Sequence, residues 1–374
     1  MRVVFLPLSV GVLFTVVFIS LSNFIVEGQQ QQKCTANQDN TGVESLDPSL
    51  LWAPLESQDG LGLDLRDMEP EPMRAVVEGR ASSVIVRGVM SPEACDAAIK
   101  RLSERELLLT EGGSCTAGAA AMQYPFRRLP GLTDVGVTIH GLDSADWQEA
   151  ALRQNQLFSD LFADMPSDLP NPIERLHSVL NELARGSGKH VVPPEDMAGG
   201  VAGTTAIFRA HPPGPGSRFA PHFDGFQQGK FTPSGHADRP FRVMDPSYSS
   251  HAVLSAVMVL QSAQEDGEEE DALNPATDSQ LFDISLDELA LVESDDLLTA
   301  GSHWIGVHFG PTFQDFADRV RARRFSPRLR AGDMYLFSAS RVHELFEVQG
   351  ARCRVVVASF MSWSDALDEV LLFQ

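Results

Sequence analysis

The chain has 374 residues, 43% of them hydrophobic and 8% aromatic, which is enough apolar material for one large or two modest cores. Acids outnumber cations 51 to 29, for a formal charge of −22, so a general electrostatic hold on nucleic-acid phosphates is excluded and no nucleic-acid partner is expected. The cysteines Cys34, Cys95, Cys115 and Cys353 form no CxxC pair and no zinc-finger spacing, which excludes thioredoxin-like and structural zinc motifs.

Residues 3–26 are almost wholly apolar, with Arg2 as the only cation before them. A span of about 20 such residues crosses a bilayer. The small and polar residues after Val26 also suit a cleavage site, so residues 1–28 are expected to be a signal peptide or a type II signal anchor. Either reading sends the rest of the chain into the secretory pathway, to the endoplasmic reticulum lumen or membrane, with secretion as the alternative. Residues 29–78 are rich in Gln, Asp, Glu, Pro and Gly without a sustained period and read as a polar linker.

A folded domain is expected over 79–374. Residues 83–89 form a strand pattern, and Ser91-Pro92-Glu93 supplies an N-cap, a proline at the first helical turn and an early acid. Apolar residues at helical spacing predict further helices over 145–163 and 172–184. After Gly200 the pattern turns to short strands, over 204–208, 219–224, 252–260, 334–337 and 353–360. The expected class is therefore α+β with a mostly β core, antiparallel, and supporting helices at its N-terminal side. Residues 243–318 hold 16 acids and no Lys or Arg, and six arginines follow between Arg319 and Arg330. Residues 262–325 read as an acidic insertion.

The chemistry concentrates after Pro212-Pro213-Gly214. In a strand, residues i and i+2 share a face, so His222 and Asp224 present an imidazole and a carboxylate to one point. His343, after the turn Arg330-Ala331-Gly332-Asp333 and the strand Met334-Tyr335-Leu336-Phe337, supplies a second imidazole. Two His and one carboxylate on one face suit a non-haem Fe(II) site with open positions. Arg352, nine residues beyond His343, offers a bidentate grip on a dicarboxylate, with Arg354 as its competitor on the same strand face. His236-Ala237-Asp238 repeats the His-x-Asp pattern, but its Pro and Gly neighbours argue against a strand. His211, His251, His303 and His308 have no partner spacing that marks them as ligands.

These residues resemble the Fe(II)/2-oxoglutarate-dependent dioxygenases, specifically their prolyl 4-hydroxylase-like branch, over residues 80–365. The parts come in family order: the opening strand with Ser91-Pro92-Glu93, Pro-Gly before His222-x-Asp224, the strand 254–261, Ala331-Gly332-Asp333, His343-Glu344, and Gly350-x-Arg352 leading into a hydrophobic strand. The resemblance implies a double-stranded β-helix, or jelly roll, with Fe(II) on His222, Asp224 and His343 and 2-oxoglutarate as co-substrate on Arg352. Ascorbate is the accessory cofactor it allows. The implied reaction couples decarboxylation of 2-oxoglutarate to hydroxylation of a C–H bond, because Asp224 stands where halogenases of this kind leave a small residue. A peptidyl-prolyl or related peptide is the expected substrate, with a small molecule as the alternative. A non-catalytic jelly-roll binding module is the reading from another class, and the complete ligand set speaks against it.

Overall fold

The computed structural model describes residues 52–68, 71–109, 115–117, 133–135, 144–166, 169–193, 204–214, 217–224, 252–263, 279–285, 306–310, 312–348, 350 and 352–373. In chain order the strands are β1 (Leu55–Ser57), β2 (Ser83–Val86), β3 (Leu108–Leu109), β4 (Thr116–Ala117), β5 (Thr133–Val135), β6 (His190–Val192), β7 (Ile207–His211), β8 (Phe219–Asp224), β9 (Ala252–Gln261), β10 (Ser279–Ser285), β11 (Gly306–His308), β12 (Arg324–Phe325), β13 (Met334–Ser338), β14 (Arg341–Leu345), β15 (Arg354–Trp363) and β16 (Glu369–Phe373). The helices are α1 (Pro72–Val77), α2 (Pro92–Glu104), α3 (Ser144–Phe162), α4 (Pro172–Gly186) and α5 (Phe313–Arg319).

Two sheets carry the core. The larger contains β2, β13, β9 and β15 in that order, with β7 and then β16 paired along the far edge of β15; the smaller runs β11-β8-β14-β10-β12. From β7 to β15 the chain steps back and forth between the sheets, which is the jelly-roll winding. Alternation along the strands sorts two faces of the large sheet. Cys353 just before β15, Val355 and Val357 of β15, Phe208 and Ala210 of β7, and Ala256 and Met258 of β9 pack into one apolar cluster with α2, α3 and α4. Tyr335, Phe337 and Phe373 belong to a second cluster on the opposite face, between the sheets.

Local sequence explains the element ends. Ser91 Oγ accepts the Ala94 N–H at 3.2 Å, and Pro92 opens α2. The turn before β13 needs a glycine: Gly332 has φ +90°, and a Cβ there would come within 2.1 Å of the Met90 carbonyl oxygen. Buried Asp333 ties this turn to β2, accepting from the N–H groups of Gly88 and Arg330 and from Arg87.

Three expectations about organisation change. The segment read as linker is folded from Trp52 on: β1 pairs in parallel with β2, and α1 is buried along Pro72, Met73, Ala75 and Val76. The acidic insertion contains working parts of the small sheet, since β10, β11, α5 and β12 all fall within it. Its Asp283 is neutralised by Arg323 and Arg341, and its Asp318 by Arg324. Cys353, whose spacing to the other cysteines marks no pair, is joined in a disulfide to Cys115, their Cα atoms 6.1 Å apart, while Cys95 is free and buried. No helix among the described residues is long and apolar enough to cross a membrane. The apolar start over residues 3–26, His236-Ala237-Asp238, His251, His303 and the acidic run from Glu265 to Asp271 lie outside the described residues.

Candidate metal centre

His222 and Asp224 lie two apart on β8, while Phe223 between them turns to the other side and packs with Phe282, Phe309 and Phe313. That apolar anchor fixes which way the ligand pair points. On β14 the same alternation turns Val342 outward into this cluster and His343 inward. The register places His343 directly opposite His222 across the β8–β14 pair. Their ring centroids are 4.3 Å apart, and His343 Nε2 lies 3.4 Å from Asp224 Oδ2. One ligand atom from each of the three residues falls within 4.8 Å of the others.

Hydrogen bonding decides which nitrogens face the centre. His222 Nδ1 contacts the Ala220 carbonyl at 2.7 Å, and His343 Nδ1 contacts the Arg341 carbonyl at 3.0 Å. A carbonyl only accepts, so both Nδ1 atoms carry the proton and both Nε2 lone pairs are left for a cation. The donor set of two Nε2 atoms and one carboxylate therefore fits the expected non-haem iron. Both rings are buried, with Phe337 edge-on to His343 at 5.0 Å and Phe219 against His222 at 5.7 Å. Glu344, next to His343, points the other way: it accepts from Gln314 Nε2 at 2.7 Å and faces Arg218 at 3.5 Å. Burial pushes its carboxyl up, and Arg218 and Gln314 oppose that shift.

The two candidate arginines differ sharply. Arg352 lies in the bend before β15, half-buried, and its Nε donates to the Ser262 carbonyl at 3.0 Å. Arg354 opens β15, is 5% exposed, and has no hydrogen-bond or ion-pair partner among the described residues. Because Val355 and Val357 face the helices, Arg354 and Val356 face the space between the sheets, the side on which Phe337 meets His343. Val356 pairs with Val259 of β9. Opposite Arg354 on β7 is His211, 3% exposed, which sequence reasoning passed over. Its signal was the alternation Ile207-Phe208-Arg209-Ala210-His211, which puts Arg209 and His211 on one face.

Residues 61–374 match the family model described as carrier-protein-independent halogenase WelO5. The chain belongs to that family. The expectation of an enzyme using Fe(II) and 2-oxoglutarate stands with this membership, whereas the prolyl 4-hydroxylase-like branch does not follow from it. Among solved structures, the chain is similar to an N-substituted L-amino acid dioxygenase from Burkholderia ambifaria AMMD, at 14% identity and a TM-score of 0.44, covering 81% of this chain and 90% of that one. It is similar to the epimerase SnoN in complex with Fe3+, alpha ketoglutarate and nogalamycin RO, at 14% identity and a TM-score of 0.37, covering 77% and 82%. HygX from Streptomyces hygroscopicus with nickel and 2-oxoglutarate bound is a third, at 10% identity and a TM-score of 0.36, covering 78% and 86%. No curated protein matches the chain.

Proposed function

We propose that this member of the WelO5 family hydroxylates a C–H bond of a free small molecule, with Fe(II) held by His222, Asp224 and His343. The observation that carries this reading is the Asp224 carboxylate, 3.4 Å from His343 Nε2 in a three-residue ligand set. In a halogenase of this kind the carboxylate position is left to a small residue, so that a halide takes it. Asp224 fills that position here, and hydroxyl transfer is what remains. The bound iron and co-substrate supply O₂ activation and the power to break the C–H bond. This chain's own residues orient them: the Ala220 and Arg341 carbonyls fix both imidazoles, and Phe219 and Phe337 keep the rings dry.

For the co-substrate we propose Arg354 in place of Arg352. A buried guanidinium with no hydrogen-bond or ion-pair partner among the described residues is costly unless an anion joins it, and a dicarboxylate's distal carboxylate is the anion the chemistry needs. Val259 and Val356, beside it, would cover the methylene groups. Small-molecule substrates are favoured over the peptidyl-prolyl expectation because the family's description specifies independence from a carrier protein. The Cys115–Cys353 disulfide supports the proposal that the domain works in an oxidising compartment, reached through residues 3–26. Protease protection of the domain in intact microsomes would agree, and a cytosolic, protease-sensitive protein would reject it.

The test is anaerobic addition of Fe(II), 2-oxoglutarate and a panel of small-molecule metabolites to the purified protein, followed by O₂ in chloride buffer. A charge-transfer absorption on mixing, succinate on exposure to O₂, and a product heavier by one oxygen are expected. A chlorinated product would overturn the assignment to hydroxylation, and absence of both absorption and succinate would overturn the enzyme site.

A further inference from the structure

A carboxylate has about four lone-pair sites, and a bidentate guanidinium occupies two of them. A buried carboxylate held by one arginine therefore still needs donors, because polar atoms left unpaired away from water lose the hydrogen bonds that water gave them. Next to Arg354 the structure offers one. His211 is the direct cross-strand partner of Arg354, since β7 and β15 pair Arg354 with His211 and Val356 with Arg209. Phe208 and Ala210 turn toward the helices, so His211 faces the same inter-sheet space as Arg354. It is 3% exposed, and among the described residues neither ring nitrogen has a hydrogen-bond partner. Two adjacent buried polar side chains that share one strand face, with no hydrogen-bond partner among the described residues, point to a ligand that joins them.

We propose that His211 is a specificity-determining residue of the co-substrate pocket, donating a ring N–H to the same distal carboxylate that Arg354 binds. The inference rests on the reading of Arg354 given above and adds a second group to it. Burial, then the charges of Arg354 and Arg209, holds the imidazole well below its ordinary range, so the ring stays uncharged. An uncharged imidazole adds a directed hydrogen bond without adding a third positive charge to a pocket that receives an anion. It also lies at the end of β7, where the chain leaves for β8 and its ligands, so the donor is held by the strand that leads into the metal site. The consequence is selectivity: His211 rewards a 2-oxo acid that carries a distal carboxylate and is indifferent to one that does not.

The experiment titrates 2-oxoglutarate and 2-oxobutanoate, which lacks the distal carboxylate, into the Mn(II)-loaded full chain by calorimetry. His211→Phe should weaken 2-oxoglutarate about tenfold, the effect of about 1.4 kcal/mol, and leave 2-oxobutanoate unchanged. His211→Gln, which keeps a donor, should recover most of the loss. Arg354→Met in the same titration separates the two ideas. If Arg354→Met weakens 2-oxoglutarate while His211→Phe weakens both ligands equally or neither, His211 is structural and this proposal falls alone. If Arg354→Met leaves 2-oxoglutarate binding unchanged, the co-substrate reading falls and His211 falls with it. The wild-type protein gives a second readout that needs no variant. Selective ¹⁵N-histidine labelling should show the His211 N–H shifting and gaining exchange protection with 2-oxoglutarate but not with 2-oxobutanoate, and identical spectra would overturn the assignment.

Discussion

Replacing Arg354 by Met should move stability and co-substrate affinity in opposite directions. Without ligand the guanidinium is 5% exposed and has no partner among the described residues. An unpaired buried charge costs several kcal/mol, so an apolar side chain of similar length should stabilise the ligand-free protein by about 1–3 kcal/mol. With 2-oxoglutarate bound, the same substitution removes a charge-assisted pair worth about 2 kcal/mol, which weakens binding about 30-fold. At a ligand concentration of about 100 times the wild-type Kd, binding stabilises the wild type by about 2.7 kcal/mol and the variant by only about 0.9 kcal/mol. Urea unfolding of the metal-loaded protein, with and without 2-oxoglutarate, measures both quantities. A variant less stable than wild type without ligand, yet gaining the same increment with it, would refute the assignment of Arg354 to the co-substrate carboxylate.

Asp224→Gly should abolish hydroxylation and weaken Fe(II) binding, and with chloride present any turnover should shift toward a chlorinated product; mass spectrometry of the product checks it, and undiminished hydroxylation would remove Asp224 from the metal site. Gly332→Ala should cost at least about 2 kcal/mol in urea unfolding, because φ is +90° and the new Cβ would meet the Met90 oxygen at 2.1 Å. His177 on α4 should make the fold acid-sensitive. Burial pushes its imidazole down to about 4, against an ordinary value of about 6.5, so between those values the unfolded chain binds more protons and stability falls with falling pH. The loss is complete near pH 4 and amounts to about 3 kcal/mol. His177→Leu should flatten the urea midpoint across that window, and an unchanged slope would show that another group sets it.

The candidate ligands were legible because His222-x-Asp224 needs only the two-residue strand repeat, and β8 spans the expected residues 219–224. His343 was found from its place after the Gly332 turn, but its own strand was not: in Arg341-Val342-His343-Glu344-Leu345 the inward position is a ligand and an outward one a buried acid, so no apolar stripe marks it. Arg352 and Arg354 share strand parity, and only the point where pairing begins, at Arg354 opposite His211, tells them apart. The strand 204–208 was set three residues early, which left Arg209 and His211 in a loop and hid the pocket wall. The acidic window misled for a physical reason. Ser279–Ser285 is a strand whose Asp283 meets Arg323 and Arg341, and charge neutralised from 40 and 58 residues away cannot be read from local composition.

Each imidazole of the candidate metal centre is anchored by the carbonyl of the residue two places before it in its own strand, Ala220 for His222 and Arg341 for His343. These backbone contacts aim both rings. Elsewhere, tautomer and tilt of a metal-bound histidine commonly depend on a neighbouring carboxylate that mutation can remove. Here they are written into backbone that any residue at 220 or 341 would supply, provided the β8–β14 register holds. The candidate centre is thus buffered against sequence drift around it, and the side chains free to change are those that would choose what is transferred and to which molecule. A lineage built this way could exchange one reaction outcome for another at position 224 without first having to rebuild the histidine half of its centre.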